Sequence, residues 1–265
     1  MATPVEEKKQ KSVEEQSSTI PTPDAANDGL RRVAFVTVGA TAGFQPLLQE
    51  VLSAPFVDKL LELNYTQLVI QCGPDSEFVE AYFPREEDEE EKKENQVDRS
   101  DKKSPDEKKL SREELRERRN SFIRRIAVFA YTSEMTKWMR LAGPGTDEDG
   151  GQRSHGVIIS HAGSGTILDA LRVNSRLVAV ANPALMDNHQ EELAKEMERQ
   201  GFLVWGKLGF MLAADMRSLF LFSNSSLADS VQHIEEHVPK KWPPEAPADQ
   251  PFPGGLWDVI EMFRH

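Results

Sequence analysis

One cysteine in 265 residues leaves nothing to close a disulfide within the chain, and such a composition fits a reducing compartment. That residue, Cys72, ends the apolar stretch of QLVIQCGP, where a buried structural thiol is the expected state. No apolar run approaches the roughly 20 residues that a helix needs to span a bilayer. The opening residues MATPVEEKKQKSVEEQSS carry no hydrophobic signal core either, so a cytoplasmic location is expected. Positive charge is also scarce. The formal net charge of −12 argues against a broad nucleic-acid footprint, while local basic patches such as Arg116 to Arg125 are left open. No internal repeat of solenoid length occurs.

Three segments have too few apolar side chains to join a core. Residues 1–29 read as a disordered tail and 239–255 as a proline-rich linker, PKKWPPEAPADQPFPGG. Residues 84–120 contain no aromatic residue, and Val97, Leu110 and Leu115 are their only large apolar side chains. Such a stretch cannot offset its ordering entropy, so it reads as a largely disordered, charged insert; a docking or regulatory arm is the alternative. Its far end carries Ser111 and Glu114 at the spacing of a capping box, which predicts a helix there.

The remainder, within 30–238, reads as one domain in which apolar runs alternate with helical patterns. Strands are predicted at Val33–Val38, Tyr65–Cys72, Ile126–Tyr131, Val157–Ser160, Leu177–Ala181 and Phe202–Trp205. Continuous apolar runs suit strands buried on both faces, and the alternation with helices predicts an α/β, doubly wound, mostly parallel Rossmann-like sheet. One or two helices are expected in 211–238. In 256–265, Leu256, Val259, Ile260 and Phe263 share one helical face; so short an amphipathic element is unstable alone and reads as a docking element.

Ligands of such sheets bind at the carboxyl ends of strands, where two glycine turns are predicted. The first is Gly39-Ala40-Thr41-Ala42-Gly43, and the second is Ser160-His161-Ala162-Gly163-Ser164-Gly165-Thr166. A turn that opens a helix presents backbone N–H groups and a positive dipole end to an anion. The bland alternative is that the glycines only permit a tight turn. No Gly-Lys-Ser/Thr follows either turn and G-x-G-x-x-G is absent, which disfavours a Walker NTPase and a nicotinamide-dependent oxidoreductase. A third loop, Asp187-Asn188-His189-Gln190, is rich in hydrogen-bonding groups, and Asp187 with Gln190 also has the form of a helix start. Asp147-Glu148-Asp149 spells a D-x-D, but in a Gly-rich loop that enters a strand, so it reads as solvated loop and not as a metal site.

The words VIISHAGSGTILDAL and MDNHQEELA closely resemble the catalytic subunits of the eukaryotic UDP-N-acetylglucosamine transferase that adds the second sugar to the dolichol-linked oligosaccharide. More distantly they are similar to the donor-binding half of the family-28, GT-B transferase of bacterial peptidoglycan precursors. The resemblance covers Arg32 to about Gln71 and about Ile126 to Trp205. It implies a single GT-B donor-binding half. Gly39, Thr41 and Gly43, with His161, Gly163, Ser164, Gly165 and Thr166, would then face the donor diphosphate.

Asp169 falls where the bacterial relatives place a ribose-binding carboxylate, with a first-turn acid favoured by the helix dipole as its alternative. The resemblance implies that Asn188, His189 and Gln190 reach the sugar, while Tyr131 and Thr132 match the uracil side only by position. No general base is assigned. His161 is the one candidate, and the resemblance sets it beside the diphosphate, where it would donate to an oxygen or orient the loop. No cofactor is implied. The two-domain relatives bind acceptor in a half that has no counterpart here, so the resemblance implies a membrane-anchored partner on the cytosolic face of the endoplasmic reticulum. A non-catalytic nucleotide-sugar binder or interaction protein is the alternative function.

Overall fold

A computed structural model describes residues 30–83, 112–147, 149–185, 189–209 and 226–242. In chain order it has β1 (Leu30–Arg31), β2 (Val33–Thr37), α1 (Gln45–Val51), α2 (Ala54–Glu62), β3 (Gln67–Gln71), a 3-10 turn (Gly73–Asp75), α3 (Ser76–Glu80) and α4 (Arg112–Ile123). It continues with β4 (Ala127–Phe129), α5 (Met135–Leu141), β5 (Gly145–Thr146), β6 (Gln152–Arg153), β7 (Val157–His161), α6 (Ser164–Arg172), β8 (Arg176–Val180), α7 (His189–Arg199), β9 (Val204–Trp205) and α8 (Leu227–Glu236).

The six main strands pair in parallel in the order β4-β3-β2-β7-β8-β9. The chain therefore winds outward from β2 to β4, returns to β7 beside β2, and winds outward again. This is the doubly wound topology expected from the alternating pattern, with its switch point between β2 and β7. Every residue of β2 and β3 is buried, which is why their centres, VAFV and LVI, are continuously apolar. Side chains then alternate between two cores. Ala34, Val36, Ile159 and Val178 pack with α1, α2 and α8 on one face, and Phe35, Ile158, Leu177 and Ala179 pack with α5, α6 and α7 on the other.

Three local features depart from the pattern read along the sequence. The helix after the first glycine turn ends at Val51, and Ser53 caps a second helix by accepting from the Phe56 amide at 3.4 Å, with Pro55 in its first turn. The Gly-rich loop around Asp147 is not solvated: β5 and β6 form an antiparallel pair that β1 joins. Asp147 pairs there with Arg31 at 2.7 Å and with Arg153, its side chain only 8% exposed. Trp242, at the start of the proline-rich segment, packs edge-on against Phe202 with ring centroids 5.4 Å apart. The predicted helix at the end of the charged insert is α4, tied to α2 by Arg119 Nε donating to Asp58 at 2.7 Å; Ser111 and residues 84–110 lie outside the described residues, as does 243–265.

The amino edge of the sheet is locked by Glu235 of α8. It accepts from the Tyr65 hydroxyl at 2.6 Å, from Arg176 at 2.5 Å and from Arg32. Arg32 in turn lies 4.6 Å from the Tyr65 ring centroid. This network leaves the carboxyl edge to the loops. No helix among the described residues is long and apolar enough to cross a membrane.

Candidate functional site

Because β2 and β7 are neighbours at the switch point, the glycine turns that follow them emerge side by side. His161, the last residue of β7, stands between them. Gly39 has φ +86°, a conformation that L side chains rarely adopt, and a β-carbon on it would lie 2.7 Å from the imidazole Cε1. A β-carbon on Gly163 would lie 2.5 Å from the Nε2 of the same ring. Both turns pack glycine backbone against this imidazole, and Gly39 is required by its positive φ as well. Burial lowers the His161 pKa below its ordinary value of 6.5, against a weaker opposing effect of the Thr37 backbone. Its Nδ1 is buried with no hydrogen-bond partner. The ring is a spacer that sets the separation of the turns.

The second turn opens α6. Gly163 is the N-cap and offers no side-chain cap, so the first N–H groups of the helix point outward with the positive end of the dipole behind them. Ser164 and Gly165 are exposed, and Gly165 has open space on its Cβ side. Thr166 is half-buried in the same turn.

The first turn is held differently. Gln71, 1% exposed at the end of β3, uses its whole amide: Oε1 accepts from the Thr37 hydroxyl at 2.6 Å and the Gly39 amide at 3.1 Å. Its Nε2 donates to the carbonyls of Gly39 at 3.0 Å and Ala130 at 2.7 Å. Asp75 accepts from the Phe44 amide at 2.6 Å and the Gln45 side chain at 3.2 Å. The two ends of this turn are thus engaged by the protein itself, while Thr41 between them is exposed. Cys72, next to Gln71, is buried as expected, and burial pushes its thiol up to about 11.

Asn182, just past β8, joins the first turn to the third loop. Its Nδ2 donates to the Gly43 carbonyl at 3.0 Å, its Oδ1 accepts from the Ala184 amide at 3.0 Å, and its own amide lies 3.4 Å from Gln190 Oε1. Gln190 is thereby brought to the glycine turns. His189 starts α7 with its side chain largely exposed, 3.8 Å from Glu192. Asp187 and Asn188 lie outside the described residues. Asp169 is half-exposed on α6 and pairs with Arg172 at 3.3 Å. Tyr131 follows β4 and is 58% exposed, and the Thr132 hydroxyl accepts from the Glu134 amide at 3.0 Å.

Beside Gln190 a cavity of about 310 Å³ opens at the ends of β8 and β9. Asp147 of the D-x-D is engaged by Arg31 and Arg153, and no group of three or more His, Cys, Asp or Glu among the described residues is placed to hold a metal ion.

Gln71, Asp75 and Asn182 carried no signal along the sequence. Gln71 ends β3, Asp75 closes the 3-10 turn and Asn182 lies just past β8, and each holds a group distant in sequence: Gln71 the Gly39 backbone, Asp75 the Phe44 amide and Asn182 the Gly43 carbonyl.

Residues 147–236 match the model of the glycosyltransferase family 28 C-terminal domain. The UDP-N-acetylglucosamine transferase subunit ALG13 of Candida glabrata is 32% identical over 177 residues, 64% of this chain and 78% of its own length. The chain belongs to the ALG13 family. The ALG13 of Saccharomyces cerevisiae is 31% identical over 178 residues, 66% of this chain and 76% of its own. A solution structure of ALG13 aligns with 82% of this chain and 92% of its own, at 22% identity and a TM-score of 0.44. In this ALG13-family chain the family-28 match takes in the second glycine turn, the third loop and the cavity; the first turn lies before it.

Proposed function

We propose that this chain is the donor-binding half of a transferase that moves N-acetylglucosamine from UDP-N-acetylglucosamine to N-acetylglucosaminyl-diphosphodolichol with inversion. The single observation that carries the reading is the junction at His161, where two glycine turns back onto one imidazole and an uncapped helix N-terminus faces outward beside them. The α6 amides of Ser164, Gly165 and Thr166 hold the diphosphate and stabilise the charge that builds on the departing UDP, as fixed dipoles do in acyl and phosphoryl transfer. Gly39, Gly43 and His161 form the wall of that site, and Thr41 adds a hydroxyl donor. Asp169 reaches the ribose, Tyr131 and Thr132 border the uracil, and Asn188, His189 and Gln190 take the sugar hydroxyls.

The catalytic base and the lipid-acceptor surface come from a membrane-anchored partner, which brings the complex to the cytosolic face of the endoplasmic reticulum. The family names support the donor and a subunit role, and the amphipathic 256–265 is the docking element. Reconstituted chain plus partner is expected to transfer the sugar, with Gln190→Ala and Gly163→Val each strongly impaired. Transfer unaffected by both substitutions, or a chain that binds no UDP, would refute the reading. Deleting 256–265 is expected to abolish co-purification with the partner, and unchanged association would exclude that segment as the contact.

A further inference from the structure

The cavity beside Gln190 is too small for a whole nucleotide sugar. About 310 Å³ lies at the low end for small-molecule sites and suits a single sugar ring. Asn182 belongs to its lining and also donates to the Gly43 carbonyl, so the cavity adjoins the glycine turns on that side. A ligand that lays its diphosphate on the turns therefore has its sugar next to this opening. The near wall is Asn182 and Gln190. Trp205 and the segment after it, Gly206 to Leu208, also line the cavity.

That segment is held tightly: a β-carbon on Gly206 would meet the Val178 side chain at 2.6 Å, so the backbone runs close over β8 and turns Lys207 and Leu208 to the cavity. Lys207 Nζ lies 4.9 Å from the Trp205 ring centroid, and no carboxylate among the described residues is within ion-pairing distance of it. Lys195 contacts the same ring at 4.6 Å but is neutralised by Glu191 at 2.5 Å. Lys207 is thus the cation with hydrogen-bonding capacity to spare. Leu208, with Leu185 and Pro183 from the loop after β8, makes a small apolar surface on the same cavity. An apolar surface with a nearby donor complements an acylamino group, which has a methyl end and a carbonyl oxygen.

The geometry points to Trp205–Leu208 as the wall that reads the 2-acylamino substituent of the donor sugar, with Leu208 against the methyl group and Lys207 donating to the carbonyl. This rests on the transferase reading given above and adds the residues that set its sugar specificity. Two substitutions separate the contributions: Leu208→Trp fills the apolar corner, and Lys207→Met keeps the stem while removing the donor.

The test is calorimetry of the full chain with UDP, UDP-N-acetylglucosamine and UDP-glucose as the three probes. The wild type is expected to prefer the N-acetylated sugar over UDP-glucose by about tenfold or more, the size of discrimination that small differences in a fitted pocket provide. Both variants are expected to keep their affinity for UDP, which also reports that they are folded, and to lose most of that preference. A preference unchanged in both variants, or UDP affinity falling in parallel with that for the sugar nucleotide, would overturn the assignment while leaving the transferase reading intact. A wild type that binds none of the three would overturn both.

Discussion

At the scale of single residues, the site depends on the space that two absent side chains leave around one ring. His161 fills the gap that glycines at 39 and 163 leave open, so any side chain there must push the imidazole or the turn away. Gly163→Val is expected to reduce UDP affinity by at least about tenfold in calorimetry, because the α6 amides would no longer face the ligand. The same ring predicts a pH effect. Its folded-state pKa lies below 6.5, so the unfolded chain binds the proton more readily, and the stability it confers is complete above that value and lost as pH falls through it. The difference in unfolding free energy between wild type and His161→Gln should therefore shrink between about pH 7.5 and about pH 5, at no more than about 1.4 kcal/mol per pH unit for one group. Urea melts across that range measure it, and a constant difference would mean that the ring is not held neutral.

At the scale of elements, the strands were legible and the polar anchoring between distant segments was not. VAFVT, QLVIQ, VIISH and RLVAV have apolar centres because helices cover both faces, and that burial is visible in any one of them without its neighbours. The β5–β6 hairpin escaped notice because strands of two residues carry no period, and its stability comes from Asp147 meeting arginines on β1 and β6. Such pairing is non-local, so a local D-x-D spelling misleads. Asp147→Ala would leave Arg31 and Arg153 without their carboxylate and is expected to destabilise the fold by about 3 kcal/mol in urea melts, while UDP affinity is unchanged with or without Mn²⁺. Metal-dependent UDP binding lost in this variant would restore the D-x-D as a metal site. Glu235→Gln strips the amino edge of its shared carboxylate, where Arg32, Arg176 and Tyr65 converge, and a cost of about 3 to 5 kcal/mol is expected there.

At the scale of the whole molecule, the two edges of the sheet do different work. The amino edge is closed by ionic and aromatic contacts to α8, and the carboxyl edge is left to loops whose backbone donors are only partly used. The site's outline was readable because both glycine turns and the Asp187–Gln190 loop follow apolar runs. Its internal bracing was hidden, since Gln71, Asp75 and Asn182 act across strands that only the fold brings together.

A crystal structure of the chain with UDP-N-acetylglucosamine tests that account most directly. The diphosphate is predicted within hydrogen-bonding distance of the Ser164–Thr166 amides beside His161, with the sugar at the mouth of the cavity next to Gln190. A nucleotide seated elsewhere on the molecule, or a diphosphate turned away from α6, would contradict it.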